Sequence, residues 1–281
     1  MLKLVILIIY FAVLIGIGLY CRKHATDVNG FVLGGRSVGP WLTAFAYGTS
    51  YFSAVVFVGY AGQFGWKYGI AATWAGIGNA IIGSLLAWVV LGRRTRIMSQ
   101  HLDSATMPQY FGKRFGSNPL KIGASVIIFI FLIPYTASLY NGLSRLFGMA
   151  FNIDYSVCII IMATLTAIYV IAGGYMATAI NDFIQGIIML FGIVAVIAAV
   201  IHSKGGFMSA LQGLANVSDP AVSDTPGIFA SFFGPDPFNL LCVVILTSLG
   251  TWGLPQMVQK FYAIDNEASI PVSYTHLRAH E

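Results

Sequence analysis

The stretch from Trp41 to Val55 is apolar, yet Gly48, Thr49, Ser50 and Ser53 crowd its centre around Tyr51, Phe52 and Ala54. A membrane helix of this kind can unwind where the freed backbone groups face protein, ion or water. Unwound carbonyls and helix ends can then hold a cation and a polar solute. Small residues at this density have a second use, the close approach of neighbouring helices. Composition is compatible with both. The same two readings attach to Thr247-Ser248-Leu249-Gly250-Thr251-Trp252-Gly253-Leu254-Pro255-Gln256. There Pro255 removes a backbone donor, and Gly250 and Gly253 lower helix propensity. Two interrupted apolar helices in corresponding halves of a chain are the sequence pointer to a secondary transporter's binding site.

Asp182 stands between Gly173-Gly174 and a long apolar run. An acid there either favours the N-terminal dipole of its own helix or lines an ion path, because intramembrane acids are costly. Pro134 and Tyr135 suggest a kink with a polar ring beside it, although simple packing also accounts for them. The chain carries no phosphate-binding loop, metalloprotease helix or nucleophile elbow, which favours transport or sensing over catalysis. Cys21, Cys158 and Cys242 read as packing residues, and no Cys/His spacing resembles a metal site.

The elements that position these residues follow from composition. Apolar residues make up 57% of the chain and charged residues 9%, against roughly 25% charged in a soluble domain. Uncharged runs separate Arg36 from Lys67, Lys67 from Arg93, Lys121 from Arg145, Asp154 from Asp182 and Asp236 from Lys260. Each is long enough for a helix to cross the hydrocarbon core, which takes ~20 residues. The spacing predicts an all-α polytopic bundle with spans near 2–20, 40–62, 69–92, 120–146, 155–173, 177–202 and 237–262. With the amino terminus outside, Arg22, Lys23, Arg36, Lys260 and the basic residues of 93–121 fall on the cytoplasmic side. Lys3, Lys67, Arg145 and Lys204 fall outside. That asymmetry fixes orientation and explains the net charge of +5 without nucleic acid. Trp41 and Trp88 are expected in the inner aromatic belt, with Trp66 and Tyr68 in the outer one. Asp103 or Ser104 is expected to cap a short helix that has Pro108 in its first turn. Segment 204–236 reads as a long loop with a short helix.

Four motifs in combination resemble the sodium:solute symporter family. They are Gly34-Gly35-Arg36-Ser37 through Ala44; Thr106-Met107-Pro108-Gln109-Tyr110-Phe111 with Arg114-Phe115; Gly173-Gly174-Tyr175 with Asn181-Asp182 and Gln185; and Pro255 through Lys260-Phe261. The resemblance covers about residues 28–265, close to the first half of a typical member. It implies a core of two inverted five-helix repeats behind one extra helix. The first repeat would be near 40–203 and the start of the second near 237–262. It also implies sodium as the coupling ion, with no other cofactor, held by main-chain oxygens of Thr49 and Phe52 and by hydroxyls on an eighth core helix beyond this chain's end. Asp182 matches an acid of the sodium path, and Arg36 and Ser53 match positions linked to coupling. Solute contacts would come from Ser50, Tyr51, Ser53, Ala54, Tyr135, Thr247, Thr251 and Trp252. Tyr51 occupies the place of an aspartate in the proline branch, and Thr247 and Thr251 replace aromatic residues there, which removes support for proline.

The expected function is therefore uptake of a small polar solute, such as an amino acid or organic anion, coupled to sodium entry across the cell membrane. The expectation includes no enzymatic activity, and the partners expected are the solute, sodium and the bilayer. The rival reading is the symporter-like membrane domain of a histidine kinase. Residues 1–270 read as one incomplete transporter domain. The tail 271–281 resembles a translated adapter and is left out of the fold expectation.

Overall fold

The computed structural model describes residues 2–52 and 60–271. Among these residues every regular element is helical, and pairing in the sheet sense is limited to isolated bridges. Helix α1 (Leu2–Cys21) leads to the short α2 (Val28–Leu33), capped by Asp27, whose carboxylate accepts the Gly30 N–H at 3.1 Å. Next come α3 (Pro40–Tyr51), α4 (Ala61–Tyr68) and α5 (Thr73–Gly78). Two π-helical stretches, Asn79–Leu86 and Trp88–Gly92, pass into α6 (Arg93–His101). Then follow α7 (Met107–Phe115), α8 (Asn118–Phe151), α9 (Tyr155–Ser203) and α10 (Phe207–Ala215). The described chain closes with α11 (Pro237–Gly250) and α12 (Pro255–Ala263).

Three continuous helical paths are long and apolar enough to cross a membrane: Ala61–His101, α8 and α9. The pair α11–α12, bent by 52°, makes a fourth. The expected spans are recast rather than simply repeated. Of the expected span 40–62, α3 accounts for about 18 Å at ~1.5 Å per residue, and residues 53–59 lie outside the described residues. The expected boundary before 69 coincides with the end of α4 at Tyr68, but the helical path does not stop there. The path from Ala61 runs on through Gly69, which takes φ 62° and ψ −139°. The expected spans 155–173 and 177–202 both lie in α9, whose 49 residues are interrupted at Gly174 with φ 57° and ψ −149°.

Both glycines are required by contact as well as by backbone angle. A Cβ at Gly69 would stand 2.0 Å from the Phe229 carbonyl oxygen. One at Gly174 would stand 2.8 Å from that of Phe31. No L side chain adopts this region without strain.

Helix α9 is the centre of the packing, touching α1, α2, α3 and α8. One apolar core gathers Leu33, Val38, Ala46, Tyr175, Val258 and Tyr262 between α2, α3, α9 and α12. A second stacks Tyr47, Trp88 and Phe261, with ring centroids 4.7–6.0 Å apart. Trp88, expected at the membrane interface, is fully buried there, and Tyr68 is likewise buried, whereas Trp41 and Trp66 are exposed. Ring burial against partners outweighs the interfacial preference once those partners lie alongside. Cys21 and Cys158 are buried, but Cys242 is exposed.

Local capping also differs from expectation. Thr106, not Asp103 or Ser104, caps α7 by accepting the Gln109 N–H, while the Gln109 side chain accepts from Ala105 N–H. Asp103 instead takes a left-handed conformation, and the Ser104 hydroxyl donates to Ser99 O. The Thr106 and Gln109 side chains satisfy one donor of the first turn and one just before the cap, which a lone upstream acid does not do. Segment 204–236 holds α10 and a 3-10 turn at Ile228–Ala230, as the long loop with a short helix requires.

Candidate transport site

Pro40 presets φ in the first turn of α3, and the buried Thr43 hydroxyl donates back to Gly39 O at 3.0 Å. The helix holds through Gly48 and Thr49, whose hydroxyl donates to Phe45 O at 2.8 Å. It ends at Phe52, with φ −88° and ψ 60°, where the Phe52 N–H bonds Gly48 O at 2.8 Å. The break thus begins at Phe52, later than the unwound Gly48–Ser53 turn expected from composition. Small residues are permissive of unwinding but do not force it while their N–H groups stay bonded. Ser50 is half-buried on the last turn, and Ser53 and Ala54 lie outside the described residues.

The second interruption stands opposite. After α11 come a 3-10 turn at Thr251–Gly253 and an extended Leu254, with φ −69° and ψ 126°. The residue before a proline is pushed out of the helical region, and Pro255 then opens α12. The Tyr51 hydroxyl reaches this end of α11. It donates to Asn79 Oδ1 at 2.8 Å, lies 3.4 Å from Thr247 O and accepts from the Thr251 hydroxyl at 3.2 Å. Ser248 Oγ donates to the same Asn79 oxygen at 3.3 Å, and Trp252 Nε1 donates to Ile82 O at 2.9 Å. Room for the phenol comes from Gly83, where a Cβ would sit 1.9 Å from Tyr51 Oη.

Four expected solute residues, Tyr51, Thr247, Thr251 and Trp252, therefore meet at one place. Thr247 takes part through its carbonyl, since its hydroxyl turns back to Val243 O. Asn79 and Ser248 were missed. The signal for Asn79 was present: it is the one amide in the run 68–92 and opens a π-helical stretch, a feature common at functional sites.

The expected cation residues divide. Asp182 follows the Gly174 interruption by two turns of helix, too far in for an N-terminal dipole role. Helix α9 brings it to α3, where Phe45 and Phe183 meet edge to face at 4.7 Å and Gly186 makes room for Phe45 and Thr49. The Thr49 hydroxyl lies within reach of the Asp182 carboxylate. Lys260 of α12 closes the group, with Nζ 3.5 Å from Asp182 Oδ2 and 5.0 Å from the Tyr175 ring centre. The side chains of the pair are only 7% (Lys260) and 22% (Asp182) exposed. Phe52 follows Thr49 by three positions at the end of α3, with its ring 5.4 Å from that of Tyr51. Lys260 was visible in sequence only as part of a motif, with no spacing to show its partner. Among the described residues, no group of His, Cys, Asp or Glu could hold a metal ion.

A family profile described as the sodium:solute symporter family matches residues 31–279. The chain belongs to that family. It is 32% identical to the sodium/proline symporters of Staphylococcus aureus strains JH9 and NCTC 8325, over 95% of this chain and 51% of theirs. The chain spans about half the length of these curated relatives.

The family motifs mark places where the backbone changes direction or a helix starts. Gly34, Gly35 and Arg36 all have positive φ, at 59°, 66° and 56°. Thr106 caps α7, Gly174 interrupts α9 and Pro255 begins α12. Arg36 is the symporter motif's one charged side chain in that first turn, and its guanidinium ties four backbone and hydroxyl oxygens. It donates to Ser99 Oγ and Tyr262 O from one nitrogen, and to Ser99 O and Ser104 O, at 2.8 Å, from the other. Arg96 holds the next carbonyls of the same segment, Ile264 O at 2.7 Å and Asp265 O at 2.9 Å. A two-bond bridge between Val38 and residues 263–265 completes the join of α12 to the turn before α3. Tyr135 stands apart on α8, which packs mainly on α7 and α9. Among the described residues α8 makes no substantial packing with α3, α11 or the Asn79–Leu86 stretch, so Pro134 and Tyr135 do not form part of the cluster around Tyr51.

Proposed function

We propose that this chain is part of a sodium-coupled symporter for a small polar solute, an amino acid or an organic anion. The observation that carries the reading is the meeting of two helix interruptions, at Phe52 and Leu254, through the Tyr51–Thr251 hydroxyl contact. Interrupted helices offer directed carbonyls and N–H groups to an ion and a solute at once. The cluster of Tyr51, Asn79, Ser248 and Thr251 is polar and uncharged. It favours a solute that brings its own charge and is recognised through hydroxyls and an amide. The absence of an acid at position 51 and of aromatic rings at 247 and 251 argues against proline. The names of the relatives, sodium/proline symporters, support sodium as coupling ion and favour transport over sensing.

Sodium would be held by main-chain oxygens of Thr49 and Phe52, with Asp182 beside its path. Hard cations suit such oxygen ligands. The amino terminus would face outward and the 93–121 segment the cytoplasm, as the distribution of Lys and Arg dictates. The decisive experiment is solute uptake by the product of the complete reading frame in proteoliposomes, under sodium, lithium, proton and potassium gradients. Uptake that rises only with sodium, or with sodium and lithium, is the expected result. Uptake indifferent to sodium, or driven equally by every cation, removes the coupling.

A further inference from the structure

The Asp182–Lys260 pair joins two helices that each follow an interruption, α9 beyond Gly174 and α12 beyond Leu254. A carboxylate that served only as a way station for a mobile cation would need no fixed cation of its own. Here Lys260, nearly fully buried, sits at ion-pair distance, with the Tyr175 ring on one side and Thr49 of α3 beside the acid. The lysine ammonium is a compact charge on a flexible four-carbon stem, so it can leave and return without unfolding its helix. When it leaves, the Tyr175 face remains within reach and keeps part of its electrostatic stabilisation.

We propose that Lys260 is a tethered competitor of the transported cation. Its ammonium occupies Asp182 when no sodium is there, must withdraw for sodium to reach that carboxylate, and returns to expel the ion. The inference rests on the reading of Asp182 as part of the sodium path. It assigns to Lys260 the setting of sodium affinity and release. An ion that meets a binding-competent state only part of the time binds with an affinity lowered by that fraction. Removing the competitor therefore tightens sodium binding while slowing its departure.

The test is sodium-dependent solute uptake in proteoliposomes holding the product of the complete reading frame, wild type against Lys260→Gln, Lys260→Arg, Asp182→Asn and the double variant Asp182→Asn/Lys260→Gln. With the paired state populated about nine-tenths of the time, Lys260→Gln lowers the half-saturating sodium concentration about tenfold, and maximal uptake falls. Lys260→Arg, which keeps the charge, stays within about twofold of wild type in half-saturating sodium. In the Asp182→Asn background, Lys260→Gln produces no further change. That comparison gives a readout even where Lys260→Gln by itself leaves too little folded protein, since the double variant buries no lone charge and Asp182→Asn keeps the Lys260 ammonium over the Tyr175 ring. Unchanged half-saturating sodium in Lys260→Gln overturns the proposal and leaves sodium coupling standing. So does a further shift on adding Lys260→Gln to Asp182→Asn. Wild-type uptake that ignores sodium overturns both.

Discussion

Tyr51 and Thr251, two hundred positions apart, share a hydrogen bond of 3.2 Å from the threonine hydroxyl to the tyrosine oxygen. One residue is in the last turn of α3 and the other in the first turn after α11, so the bond spans the two interruptions. The Tyr51 proton is directed at Asn79, and the phenol is buried. Tyr51→Phe leaves the Thr251 hydroxyl, Asn79 Oδ1 and the Thr247 carbonyl with one partner fewer in a partly buried site. We expect a loss of about 1–2 kcal/mol in stability and a higher half-saturating solute concentration. Thermal unfolding of the purified protein and uptake kinetics measure the two effects. An unaltered solute half-saturation would show that Tyr51 serves packing alone.

Gly69→Ala and Gly174→Ala should each be severely destabilising. Positive φ by itself costs about 1–3 kcal/mol. The added Cβ also meets a backbone oxygen, 2.0 Å away at Gly69 and 2.8 Å at Gly174. Gly192, inside α9 with open space around it, is the control: Gly192→Ala should be neutral or stabilising by up to about 1 kcal/mol. Yields of monodisperse protein after mild heating would rank the three.

Phe52 separates backbone from side-chain chemistry. Phe52→Pro deletes the N–H that bonds Gly48 O and pushes Tyr51 out of the helical region, so α3 should end early and the Tyr51 cluster disperse. Phe52→Ala keeps that backbone. Sodium-driven uptake should vanish in the first variant, and sodium affinity should change only modestly in the second. Equal losses in both would point to the ring rather than the main chain.

Arg36→Lys replaces a planar fork with a point charge that cannot reach Ser99, Ser104 and Tyr262 together. Hydrogen bonds from a charged group contribute about 1.5–3 kcal/mol each, so we expect a clear drop in thermal midpoint. The join of α12 to the turn before α3 should loosen with it. Disulfide trapping between cysteines placed at Val38 and Ile264 would report the loosening. Trapping as fast and complete as in the Arg36 protein would refute the role.

Orientation is tested by labelling single cysteines in intact cells. A cysteine at exposed Asn216 should react with an impermeant reagent, and one at Tyr110 should not. The opposite pattern would invert the topology and place the basic 93–121 segment outside.

The sequence by itself determined the all-α class, the apolar character of the long helices and some of the positions where helices change course. Composition limits a chain in lipid to helices or closed barrels, and glycine and proline act through their own residue's backbone. Gly174 and Pro255 were therefore legible as interruptions without any partner in view, as was the long loop at 204–236. Only the tertiary structure decided that α3 stays helical to Tyr51, because the bonds that hold it compete with unwinding at nearly equal cost. Only the tertiary structure buried Trp88 and Tyr68, set Tyr135 apart, and gathered Asn79 and Ser248 around Tyr51. The pairing of Asp182 with Lys260 was hidden for the same reason. A contact between residues on separate helices depends on crossing angle and rotation, which arise from the packing of whole faces and leave no period along the chain.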